Sequence, residues 1–153
     1  MATQWTAQGI SAGAVLPAAT LQSIGAATVA YTPAWTASVT NPAIGNGILT
    51  GQYFQVQKLV IGEMFLVCGS TTTFGAGGYL LSVPFPISAG YCSAWGQLLD
   101  ASAGYVSYMG SGIASGSNIE FRFGNGAVVW QPTVPVTLDN GDQIRVKFVY
   151  ERT

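Results

Sequence analysis

Histidine is absent from the 153 residues, only 5 are Lys or Arg and 6 Asp or Glu, and there are 2 cysteines. Each scarcity excludes some chemistry. Without histidine, neither a Ser-His-Asp nor a Cys-His device can be assembled. The basic residues all lie at or after Lys58 and form no run, so there is no basic face for the several phosphate contacts that nucleic acid binding requires. Cys68 and Cys92 form no CxxC pair, which rules out a zinc site of ordinary spacing. They leave open either one disulfide or two thiols buried in strands, and a reducing compartment favours the thiols. Long apolar runs are missing too: Pro17, Gln22 and Pro33 interrupt the apolar stretches well before the roughly 18 residues of a membrane span. No basic residue precedes the mildly apolar beginning of the chain, as a secretory signal would require. The chain is therefore expected to be made in a cytoplasm, without membrane insertion and without nucleic acid as a partner.

The few acids suit turns better than catalysis. Asp139 and Asp142 flank Asn140-Gly141, where short acidic side chains bond their own backbone, and the spaced oxygen ligands of a calcium loop are lacking. Glu63, Asp100 and Glu120 offer no evident pair of opposed carboxylates for glycoside cleavage. Gly75-Ala76-Gly77-Gly78 has no lysine nearby and no strand-to-helix pattern, so it is a poor phosphate cradle. No cofactor, no metal and no enzymatic activity are expected.

Charged residues make up 7% and hydrophobic ones 49%, against about 25% charged in ordinary soluble domains. A surface with so few charges is poorly protected against association, so much of it is expected to lie under partners, in the first place further copies of the chain. The length suits one domain that buries a real core.

What is present is β-patterned. Residues 1–30 carry no charge and only scattered apolar side chains, Trp5, Ile10, Val15, Leu16, Leu21 and Ile24 among them. Their spacing fits neither a helical stripe nor strict alternation, and they are expected to form an extended arm that orders against a neighbour. From residue 31 onward, Asn-Pro and Asn-Gly turns separate short runs rich in β-branched and aromatic residues. Residues 35–39 alternate, as do Ile119, Phe121 and Phe123, and Ile144, Val146, Phe148 and Tyr150, which places each set on one face of a strand. Residues 59–68 are apolar at almost every position, the pattern of a strand covered on both faces. Glu63 interrupts that run and is expected to face solvent or pair with Lys58 or Arg122. Residues 113–118 read as a Gly/Ser loop. About eight strands with no helical stretch predict an all-β, antiparallel β-sandwich of jelly-roll type over residues 31–153, with the arm before it. Tyr53, Phe65, Phe121, Phe148 and Tyr150 are its candidate core or subunit-interface residues. Trp95, Tyr105, Tyr108 and Trp130 are core candidates that would, if exposed, fill an interface or stack on sugars.

Four stretches, Tyr31-Thr32-Pro33-Ala34-Trp35-Thr36, Asn41-Pro42-Ala43-Ile44-Gly45-Asn46-Gly47, Gly69-Ser70-Thr71-Thr72-Thr73-Phe74-Gly75 and Gly141-Asp142-Gln143-Ile144-Arg145-Val146, resemble a module of tailed-phage virion proteins. That module occurs in decoration and tail-appendage proteins of actinobacteriophages and is similar in fold to the trimeric C1q and tumour-necrosis-factor jelly rolls. One departure is Gln57-Lys58, where the module usually has a glycine. The resemblance implies a homotrimer on the capsid surface of a virion, assembled in the host cytoplasm, with the arm contacting the major capsid protein of the shell or neighbouring subunits. The alternative it implies is a tail fibre or spike tip that binds host surface glycan. The absence of a fibre shaft or coiled coil in the sequence favours the first expectation.

Overall fold

A computed structural model describes residue 18, residues 27–124 and residues 128–153. Among these the elements are β1 (Val29–Tyr31), β2 (Trp35–Ala37), β3 (Ile48–Val56), β4 (Leu59–Val67), β5 (Tyr79–Ser82), β6 (Ile87–Asp100), β7 (Val106–Ser115), β8 (Asn118–Phe123), β9 (Val128–Val129) and β10 (Gln143–Arg152). The expected all-β antiparallel fold is present, with ten strands rather than about eight, all in one sheet of order β1-β3-β4-β10-β6-β7-β8-β5-β2, while β9 pairs with β8.

The ends of that order explain its shape. β1 and β2 sit at opposite edges, yet only Thr32, Pro33 and Ala34 separate them in the chain. Four Cα steps span at most about 14 Å, so the sheet must curl into a half-barrel whose edges nearly meet. Ser82 fastens the seam from β5: its hydroxyl oxygen accepts from the Ala34 N–H at 2.7 Å, and its own N–H donates to the Ala34 carbonyl at 2.9 Å.

The core fills the concave side. β10, flanked by β4 and β6, buries Ile144, Val146, Phe148 and Tyr150 as its alternation predicts, and β8 buries Ile119, Phe121 and Phe123. Toward the seam, Trp35 and Trp130 stack with planes 7° apart, and Tyr79 meets both edge-on. Close backbone approach replaces side chains at two glycines. The Phe148 ring lies over Gly62, where an added Cβ would come within 2.3 Å of Cζ. At Gly112 an added Cβ would meet Ile119 Cγ2 at 2.5 Å and the Ala94 Cβ at 2.7 Å.

Just beyond Gly112, the first half of the expected loop is in fact strand. Residues 113–115 continue β7, and only Gly116 and Ser117 turn into β8. Of the residues read as loop, Ala114 points inward, and with Gly110 and Gly112 it makes up the small inward positions of β7 above Phe123, Ile119 and Phe121. Val29 and Ala30, the last residues of the expected arm, pair with Tyr53 and Gln52 of β3. Trp5, Ile10, Val15, Leu16, Leu21 and Ile24 lie outside the described residues. Gln57, at the departure from the phage-like pattern, turns β3 into β4 with φ of 52°, a conformation that glycine adopts at less cost.

Candidate interaction surface

Antiparallel register sets which side chains share the convex face. Phe54 is opposite Ile61, Ile61 opposite Val149, and Val149 opposite Ser93. Ile113 follows the Ala94–Gly112 pair and is opposite Glu120. An apolar row therefore crosses β3, β4, β10 and β7, broken only by Ser93 on β6. One step along the strands, Gln52, Glu63, Lys147, Trp95, Ser111 and Arg122 form a second row. Beyond it come Thr50, Phe65, Arg145, Gln97 and Met109.

Residues 59–68 are expected to be covered on both faces, and the described residues cover only one. Val60, Met64, Leu66 and Cys68 are buried, whereas Leu59 and Ile61 are 44% and 42% exposed. Trp95, Met109 and Ile113 are likewise exposed at 48%, 60% and 47%. No other part of the described chain packs over them, because β4, β10 and β6 face the core with their opposite side.

Two of the charge pairs on this face are internal to it, Glu63 with Lys147 and Glu120 with Arg122. Glu63 faces the open side of the sheet, one of its two expected placements, and there it accepts hydrogen bonds from Lys147 and Gln52 rather than from Lys58 or Arg122. Register explains the difference, since Glu63 is directly opposite both Gln52 and Lys147. The Lys147 and Gln52 hydrogen bonds hold the Glu63 carboxyl below the usual glutamate range. Arg122 pairs instead with Glu120, two residues away on β8, at 2.7 Å. Arg145 lies over the Phe65 ring, 5.7 Å from its centre. A groove of about 470 Å³ between β1, β3 and β4 is lined by Ala30, Thr50, Gly51, Gln52, Glu63 and Phe65.

The remaining sequence candidates divide. Phe121, Phe148 and Tyr150 are core, and Tyr53 packs against the core while meeting Tyr31 and Phe85 edge-on. Phe65 faces the other way, onto the convex side. Trp130 is buried, Tyr108 packs against the core, and Trp95 and Tyr105 are exposed. The sequence signal that would have separated Phe65 from Phe148 is strand register, which alternation in one strand does not supply. Cys68 and Cys92 are free. Burial, with Asp142 and Asp139 nearby, pushes the Cys68 thiol up to about 12, which leaves it unreactive near neutrality.

The acidic turn is structural. The Asp142 carboxylate is buried and accepts from the Asp139 N–H at 2.8 Å and the Ala101 N–H at 2.9 Å. Asp100 is also buried and accepts from the Ser102 hydroxyl and the Ala103 N–H. Together they tie the loop after β6 to the turn before β10. Among the described residues, no group of three or more His, Cys, Asp or Glu side chains is placed to hold a metal. No described helix is long and apolar enough to cross a membrane.

Comparisons with protein-family models, with curated proteins and with solved structures found no match to this chain.

Proposed function

We propose that the protein is a structural subunit of a phage virion, a capsid decoration protein in which three copies of a jelly-roll domain sit on the head surface and residues 1–30 reach the shell or a neighbouring subunit. The observation that carries this reading is the convex face: in a chain with 7% charged residues, the described residues leave a largely apolar sheet face uncovered. Monomeric soluble proteins rarely expose such a patch, whereas assembly subunits require one. The four stretches that resemble the phage module supply the biological setting, and they include the seam at Thr32-Pro33-Ala34 and the acidic turn at Asp142.

A second reading, a tail fibre or spike tip that binds host glycan, is favoured by one feature. Trp95 is half-exposed between Lys147 and Ser111, and an indole ring flanked by polar side chains is suited to stacking on a sugar. Mass spectrometric counting of the protein in particles made by the genome that encodes it separates the two. Hundreds of copies per particle support head decoration, and a few support a tail tip. Absence from the particle overturns both.

A further inference from the structure

We propose that the copies meet through the convex face of β3, β4, β10, β6 and β7, with a second copy of this chain as its occupant, an assignment that rests on the self-assembly reading above. Three properties of the face select that occupant. The first is charge. Glu63 is held by Lys147 and Gln52, and the two charges left over on this face of β10, Arg145 and Glu151, are one of each sign, so the face presents no net charge for a partner to oppose. Such a surface matches one as neutral as itself, and the chain that carries it is of that kind.

The second property is extent. Five strands about 4.8 Å apart and nine residues long give a patch on the order of 600 Å² before side-chain relief. That approaches the roughly 800 Å² that each partner contributes to a standard interface. The third is composition. Phe54, Ile61, Val149 and Ile113 form the row, with Trp95 and Met109 beside it. Aromatic residues and methionine are enriched at the centres of protein interfaces, where fully desolvated side chains carry most of the binding energy. The near-continuous apolarity of residues 59–68 then has a cause on both sides of the strand: the chain's own core on one and a second copy on the other.

The test uses the full chain and its mass by light scattering. Ile61→Glu and Ile113→Glu each place a carboxylate in the row, and Val39→Glu places one in the loop after β2, where Val39 is 76% exposed. The expected result is an oligomer for the wild type and for Val39→Glu, and a folded species at the 15.9 kDa of one chain for both row variants. Row variants that keep the fold and the full oligomeric mass would overturn the assignment of this face while leaving self-assembly standing. A wild-type protein that is monomeric at every concentration tested would overturn both. If the row variants fail to fold, acrylamide quenching of Trp95, taken as the difference between wild type and Trp95→Phe, reads the same face without disturbing it. Quenching that rises on dilution in step with the loss of mass supports the interface. Quenching that stays constant while the mass falls overturns it.

Discussion

The two faces of β4 and β10 are built from similar residues and have opposite fates. On the concave side Val60, Met64, Leu66, Val146 and Phe148 are buried by their own chain. On the convex side Ile61, Phe65 and Val149 have comparable apolarity, but only the register of neighbouring strands and a few paired charges accompany them. Composition decides how much apolar surface a sheet carries, and curvature decides which side the chain can cover for itself. In a sheet whose two edges are joined by three residues, the inside is filled and the outside is left uncovered by the described residues.

Phe148→Asp tests the concave side most severely. The ring is fully buried against Gly62, and a carboxylate there would be both unpaired and surrounded by apolar groups, at a cost of several kcal/mol. The expected outcome is loss of the folded chain, seen as a collapsed far-UV strand signal and insoluble expression. A soluble, folded Phe148→Asp protein would mean that the two faces have been assigned the wrong way round.

Asp142→Ala comes next. It removes the acceptor for two N–H groups at a buried site, and unsatisfied buried donors cost about 1–3 kcal/mol each. A fall in stability of about 2–3 kcal/mol in urea titration is expected, with little change in the mass of the assembly, because the acidic turn takes no part in the convex rows.

Neighbouring positions on β7 sharpen the contrast further. Gly112→Ala adds a methyl group toward Ile119 and Ala94, and overpacking of this kind costs about 1–3 kcal/mol. Ser111→Ala, one residue away on the convex side, is expected to change monomer stability by less than about 0.5 kcal/mol. Equal effects at the two positions would show that β7 is covered equally on both sides.

What the sequence reveals follows from the same contrast. Alternation in residues 143–150 and 119–123 states which side chains share a face, and the core follows from it. The Asn-Gly and Asp-rich turns state where strands end, and Asp142 is found where turn chemistry places it. Alternation does not say which neighbour lies alongside, so the basic partners expected for Glu63, if it did not simply face solvent, are Lys58 or Arg122, whereas pairing across β4 and β10 brings it Lys147. The same lack of long-range register hid the continuation of β7, because residues 113–115 look like part of a Gly/Ser loop until Ala114 is seen paired with Ile119 of β8. The convex row was only half legible. The continuous apolarity of residues 59–68 announced two covered faces, but Trp95, Met109 and Ile113 join that row only through pairings distant in sequence.

The smallest effect separates the two faces by the sign of a pH dependence. Burial raises the Asp142 carboxyl above its ordinary value of 3.8, so the native state binds its proton more readily than the unfolded chain does. The stability linked to Asp142 is then fully present below 3.8 and falls as pH rises through the raised native value. The Glu63 carboxyl is lowered from 4.5 by Lys147 and Gln52, which reverses the sign. Its contribution is present above 4.5 and is lost as pH falls through the lowered native value. Because Glu63 and Lys147 are both substantially exposed, this contribution is expected to be no more than about 0.5 kcal/mol in a dissociated chain. Urea midpoints measured across the acid range, at a protein concentration low enough to dissociate the assembly, give the comparison. Glu63→Gln should remove the component that rises with pH, and Asp142→Asn should remove the one that falls. A component from Glu63 that grows steeply with protein concentration would mean that the pair is desolvated when copies associate, which places the ion pair under the partner rather than at its rim.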